Sequence, residues 1–214
     1  MNSSTETLSI PKVGTFLPCG TLLPRRYHHF RGGIDLRLYL KGKTSGLHRQ
    51  LDAIVGDLES LPSYERYLGA LLSFREPLEQ AVMQAQSLGQ LGWHPKWISG
   101  AIRQDIADLG LAVPALDGPP VSIYNSSQLI GTLYVLEGSA LGARVLYRRA
   151  QALGLSASFG ARHLARQAEG NTTWPEFLAM LGRHDSSHAE DTALASVAAF
   201  EHALTAFKGS LCEH

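Results

Sequence analysis

Three glycines inside one long helical pattern constrain this chain most. From about Ser126 to about Leu153 the apolar residues keep a helical period, and Gly131, Gly138 and Gly142 all fall within it. Gly138 and Gly142 are four apart and stack on one helix face. Gly131 lies seven positions before Gly138, two turns away on nearly the same stripe. Each glycine inside a helix costs roughly 0.5–1 kcal/mol relative to alanine. A bare stripe built at that cost lies against something flat. Either a bound ligand or the backbone of a neighbouring helix satisfies it, and spacing alone leaves both open.

The remainder of the chain bounds the setting. With 214 residues and 44% apolar content it can fold as one domain around a substantial core. Nineteen basic and nineteen acidic residues give no net charge, which argues against a nucleic-acid partner or an anionic membrane surface. Cys19 and Cys212 stand near opposite ends and match no metal-ligand spacing, as in a reduced, cytoplasmic protein. No continuous apolar run reaches the roughly 18 residues of a membrane span. The N-terminus carries acid and serine where a signal peptide has base and an apolar stretch.

Residues 1–33 keep no period and are punctuated by Pro11, Pro18, Pro24 and several glycines. They are expected to form an irregular, flexible extension, with Arg25–Arg31 a solvated basic-aromatic cluster. Residues 34–209 are expected to form the helical domain, and 210–214 a tail. Leu36, Leu40, Leu47, Leu51, Val55 and Leu58 mark a first helix ended by Leu61-Pro62. Ser63 is expected to cap a second, which Pro77 should kink or break. Trp93-His94-Pro95 is expected to open a third, closed by Leu109-Gly110. After a loop at Pro114–Pro120 comes the glycine-striped helix. Thr173-Trp174-Pro175-Glu176 reads as a capping box with proline in the first turn. A last helix runs from about Ser187 to Phe207. No stretch alternates with period two for long enough to form a sheet. The expected fold is all-α, a compact single-domain multi-helix bundle.

The first helix also carries chemistry. His48 and Asp52 are four apart, so the carboxylate can take the proton on one imidazole nitrogen and leave the other as a metal ligand. Lys41 lies seven before His48, on almost the same azimuth and about 10 Å away. A flat ligand with a metal at its centre and carboxylates at its rim fits that spacing. An ordinary amphipathic helix with a hydrogen-bonded histidine fits it too. Opposite a glycine-striped helix, His48 suits a haem sandwich, with the ligand on one side and clearance on the other. His184 and His188, also four apart, lack a third ligand and read as part of a helix cap.

Leu36-Arg37…Thr44-Ser45-Gly46-Leu47-His48-Arg49-Gln50-Leu51-Asp52 resembles the proximal motif of the haem oxygenase family. Leu133-Tyr134-Val135-Leu136-Glu137-Gly138-Ser139-Ala140-Leu141-Gly142 resembles the distal motif of its bacterial, phytochrome-associated branch, Y-V-L-E-G-S-x-L-G-G. Trp174…Phe177-Leu178 and Ala198-Ala199-Phe200-Glu201…Leu204 stand where that family places its later helices. The similarity runs from about Leu36 to Phe207.

The resemblance implies an enzyme for which haem is both substrate and prosthetic group. O₂ and electrons from a ferredoxin or a flavoprotein reductase drive cleavage at a meso carbon to biliverdin, CO and Fe²⁺. His48 would be the axial iron ligand, oriented by Asp52. Lys41 would pair with a haem propionate, and Thr44 and Tyr134 would flank the ligand. Gly138 and Gly142 would let the distal helix bend toward the porphyrin. Ser139 stands where other branches have a carboxylate that orients distal water, and its hydroxyl can serve such a water. Ala143 replaces the second glycine of the usual pair; being about 100° from Gly142, it is expected to be tolerated. Arg183 is the nearest candidate for a second propionate anchor, with Arg162 and Arg166 behind it. A bacteriophytochrome is the implied recipient of the bilin. Two other readings stay open: a non-catalytic haem carrier or sensor of the same fold, motivated by Ala143, and a helical small-ligand or interaction module without haem.

Overall fold

The computed structural model describes residues 35–85, 93–116, 120–169 and 173–210. The expected extension at 1–33 and all but the first residue of the tail lie outside the described residues. Among the described residues there are eight α-helices and no strand, only isolated bridges at Ser156.

Helix α1 spans Leu36–Val55, its first turn capped by the Asp35 carboxylate on the Leu38 N–H at 3.1 Å. It ends earlier than its periodicity suggests. Gly56, at φ +63° and ψ −154°, takes an extended positive-φ conformation open essentially to glycine alone and returns its N–H to the Asp52 carbonyl. Leu58 is buried beyond this turn at φ 49°, an uncommon conformation for a bulky residue that its burial holds in place. Helix α2, Leu61–Ala85, therefore begins at Leu61-Pro62 where a terminator was expected. Its cap is Ser60 rather than Ser63: the Ser60 hydroxyl accepts from the Ser63 N–H, and the Ser63 hydroxyl donates to the Ser60 carbonyl. Proline is well suited to a first turn, where its missing N–H has no partner to lose.

Pro77 does not break α2. Proline removes the N–H that would reach the Ser73 carbonyl. The His202 imidazole of the last helix lies beside the Ser73 and Phe74 carbonyls, so the carbonyl left without its helix donor faces a polar ring.

Helix α3, Ser99–Asp108, starts six residues later than Trp93. Residues 93–98 are non-helical because the first helical donors are claimed from elsewhere. The Glu79 carboxylate of α2 accepts from the Ile98 and Ser99 N–H groups at 3.2 and 3.1 Å.

Asn125 caps α4, Ser126–Gly138. The long helix expected to continue to Leu153 is interrupted by a 3-10 turn at Ser139–Gly142 and resumes as α5, Ala143–Ala152. Taken together, Ser126–Ala152 is long and apolar enough to cross a membrane, contrary to the sequence expectation; half of its most apolar window is buried within the protein, as for a core helix.

Helix α6, Arg162–Ala168, was not foreseen. Its cap also comes from a distance: Asp105 of α3 accepts from the Arg162 and His163 N–H groups and from His163 Nδ1 at 2.7 Å. Helix α7 is Thr173–Leu181, and α8 is Ala189–Gly209 after a 3-10 turn at Ser186–His188.

Helix α8 is the spine. It packs along α1, α4 and α2, while α3 and α6 complete the far side and α5 lies on α6. Leu40, Leu68, Leu72, Leu129, Leu133, Phe177 and Ala203 are fully enclosed between these helices.

Candidate haem site

The glycine stripe divides into two functions. At Gly131 an added methyl would sit 2.4 Å from the Thr192 carbonyl oxygen and 2.7 Å from Ala195 Cβ. Backbones of α4 and α8 therefore touch here, and Ser196 Oγ donates across the contact to the Gly131 carbonyl at 3.1 Å. At Gly138 a methyl would meet only the Trp174 ring at 3.8 Å, and at Gly142 nothing within 4 Å. The neighbouring-helix explanation holds for the first glycine; the other two face open or lightly occupied space.

Helices α1 and α4 both lean on α8 but pack little against each other. Their link is the Tyr134 hydroxyl, which comes up to the Thr44 hydroxyl. Burial pushes the Tyr134 phenol up, while Thr44 and the nearby Arg37 guanidinium pull it back. His48 lies one turn beyond Thr44 on its helix, and Gly138 one turn beyond Tyr134 on the other. The Tyr134 ring leans on Trp174 at 5.8 Å, and Trp174 stacks on Phe177 at 5.6 Å, so α7 walls one end.

His48 Nδ1 meets Asp52 Oδ2 at 2.8 Å, and that bond raises the imidazole pKa against the opposing effect of burial. The ring stands 6.0 Å from Phe200 of α8, with its side chain 57% exposed. A histidine whose Nδ1 is engaged by a carboxylate presents Nε2 outward as a ligand.

The other predicted residues separate. Lys41 is exposed on α1, and Arg183 is exposed just after α7. The Ser139 hydroxyl turns back to the Leu136 carbonyl at 2.7 Å and accepts from Arg75 at 3.2 Å. Ala143 is 1% exposed and belongs to the core, so its methyl points into the protein. Arg149 pairs with Asp57 and the Gly56 carbonyl, tying α5 to the end of α1. No group of three metal-ligating side chains occurs among the described residues, and His184 and His188 gain no third ligand.

Arg37, Arg75 and Glu79 were missed as contributors. Arg37 precedes Lys41 by one turn and was visible as basic residue in the proximal motif. Arg75 and Glu79, four apart, are charges within an otherwise apolar helix stripe, the one signal that would have exposed them.

No protein-family profile matches the chain. A curated relative, "Heme oxygenase PigA" of Pseudomonas aeruginosa, is 33% identical over 155 residues, spanning 69% of this chain and 78% of that protein. The chain belongs to the haem oxygenase family. The haem oxygenase of Neisseria meningitidis, solved in NO- and CO-bound forms, shares the fold at a TM-score of 0.70 and 25% identity, covering 82% of this chain and 91% of that one. In this haem oxygenase the all-α architecture read from periodicity is thus the family's own. The local geometry also fits a haem: an outward Nε2 on α1, clearance at Gly138 and Gly142, and little direct packing between the helices that carry them.

Proposed function

We propose that this chain binds haem between α1 and α4 and opens it to biliverdin, CO and Fe²⁺. The observation that supports it most is the pairing of a carboxylate-oriented imidazole with a glycine-bearing wall on two helices that share α8. When bound, haem supplies the redox chemistry, with O₂ and electrons from a ferredoxin or flavoprotein reductase. The protein's residues do the positioning. His48 Nε2 holds the iron, and Asp52 fixes the ring's tautomer and orientation. Gly138 and Gly142 let the helix backbone approach the porphyrin face. Lys41, Thr44 and Tyr134 line the side of α1 and α4 that would meet the propionates, with Arg37 adding a second positive charge. Trp174 closes one end and excludes water there.

Because the Ser139 hydroxyl donates to its own helix, its lone pair is what it can offer a distal water. The Ala143 methyl, buried in the core, supports the catalytic reading over a non-catalytic carrier, since it does not crowd the glycine face. Delivery of the bilin to a bacteriophytochrome is proposed from the distal motif, and a cytoplasmic location goes with it.

The test is spectroscopic. Purified protein with hemin gives a histidine-ligated Soret band, which ascorbate or a ferredoxin–reductase pair converts to a biliverdin spectrum with CO release. His48→Ala loses this turnover while keeping its helicity. Unchanged product formation by that variant refutes the axial assignment, and absence of any Soret band refutes haem binding.

A further inference from the structure

A buried ion pair lies behind the distal wall, and its bonds converge on the place where the helix breaks. Arg75 and Glu79 of α2 are 2% and 0% exposed. Arg75 Nε donates to Glu79 Oε1 at 2.9 Å. Arg75 Nη1 donates to the Leu136 carbonyl at 2.7 Å and to Ser139 Oγ at 3.2 Å, and Nη2 to the Lys96 carbonyl at 3.3 Å. Glu79 in turn holds the first N–H groups of α3. One guanidinium fork thus ties α2 to the last turn of α4, to the first residue of the 3-10 turn, and to the segment before α3. Arginine's planar array of five donors suits such a junction, where lysine offers a single point charge.

The 3-10 turn matters because of its pitch. A 3-10 turn advances about 120° and 2.0 Å per residue, against about 100° and 1.5 Å for an α-helix. Over four residues the difference is about 80° of rotation and about 2 Å of length. Were Ser139–Gly142 to anneal into regular helix, α5 would be turned by about that angle, and Ala143 would leave the core. The glycine face would be re-aimed as well. Gly138, Ser139 and Gly142 weaken regular helix here while Ala140 and Leu141 favour it, so the local sequence permits the break without fixing it. The Leu136 carbonyl, taking donors from Ser139 within the turn and from Arg75 outside it, is where another helix bears on the break.

We propose that Arg75, braced by Glu79, is a positioning residue that latches the 3-10 break and thereby sets the aim of Gly138 and Gly142 at the haem. The proposal rests on the haem reading of the site. Glu137, buried beside the latch, belongs to the same environment: burial pushes its carboxyl up, and Arg75 holds it back.

The test separates the latch from the haem. Arg75→Met combined with Glu79→Gln removes the buried charge pair together, so no lone charge is left in the core and the fold can survive. Hydrogen exchange on the haem-free protein is expected to quicken by about tenfold or more at the amides of 139–143, the effect of losing a charge-assisted hydrogen bond there. Amides of α1 and the middle of α8 should keep their protection. With hemin bound, the same variant should retain a Soret band through His48 but yield a changed biliverdin isomer ratio. Arg75→Lys, which keeps the charge but not the planar fork, should show both effects only in part. Unchanged exchange at 139–143, or an equal rise across α8, overturns the latch, as does an unaltered isomer ratio. A wild-type protein without a Soret band would instead overturn the haem reading, and the proposed role of the latch toward haem with it.

Discussion

Replacing two glycines of the same stripe by alanine should move stability in opposite directions. In Gly131→Ala the new methyl would overlap the Thr192 carbonyl oxygen at 2.4 Å and Ala195 Cβ at 2.7 Å. Neither neighbour is the end of a flexible side chain, so α4 and α8 must separate. Overpacking of this kind costs about 1–3 kcal/mol, and backbone contact places it toward the upper end. The helix gains about 0.5–1 kcal/mol from losing a glycine, leaving a net loss of about 2 kcal/mol. For a domain of this size that lowers Tm by about 4–8 °C. In Gly142→Ala nothing lies within 4 Å of the methyl, and the backbone there is right-handed. Only the gain remains, about 0.5–1 kcal/mol, or about 1–4 °C upward. Thermal melts of the two haem-free variants by far-UV circular dichroism, with urea titrations beside them, measure both. Hemin titration supplies the second axis: Gly142→Ala should weaken or redirect haem binding despite its firmer fold, whereas Gly131→Ala should bind haem in proportion to the protein still folded. Tm shifts of the same sign, or a Gly142→Ala variant that melts lower than wild type, would refute the division of the stripe.

Asp52→Ala frees the His48 ring and should weaken hemin affinity about 10–100-fold by Soret titration, the usual loss when the partner of a metal-bound histidine is removed. Tyr64→Phe deletes the buried bond from the Tyr64 hydroxyl to the Gly160 carbonyl at 2.7 Å, and should cost about 1–3 kcal/mol in urea unfolding by leaving that carbonyl unpaired. Burial holds the His163 imidazole below its ordinary value against the pull of Asp105. Folded, it binds fewer protons than in the unfolded chain, so its stability is complete above about pH 6.5 and lost as pH falls from there toward the depressed value. His184 and His202 are lowered by burial too and act in the same sense. The haem-free protein should therefore have a lower urea midpoint at about pH 5.5 than at about pH 7.5, a slope that His163→Gln should reduce.

The elements legible in the sequence are those that carry their own signals. Helix α1 announces its buried face through Leu36 and Leu40, and α8 through Phe200, Leu204 and Phe207; His48 and Asp52 met because a helix fixes the spacing of i and i+4. What escaped depends on residues far away in the chain. Helix α6 and the late start of α3 are set by Asp105 and Glu79, carboxylates from other helices that no local window contains. Pro77 reads as a breaker in a local window because the packing that keeps α2 continuous there, with His202 beside the Ser73 carbonyl, comes from more than a hundred residues downstream. Gly131 could not be told from Gly138 by spacing, since the difference lies in whether Thr192 stands opposite. Arg75 was passed over because a charge on an apolar helix reads as an irregularity until the broken turn it serves is seen.

The crossing at Gly131 has a consequence for how the protein admits something as broad as a porphyrin. Main chain meets main chain there, with no pliable side chain between, so the α4–α8 contact has little room to adjust at this point. The front of α1 is attached through side chains instead, Leu36 and Leu40 buried in the core and Tyr39 and Lys43 gripping Glu190 at the surface. Solvent can replace that grip at small expense. Of the two seats on the spine, the α4 crossing at Gly131 is thus the one with no side chain to yield, while α1 is seated through side chains that can repack.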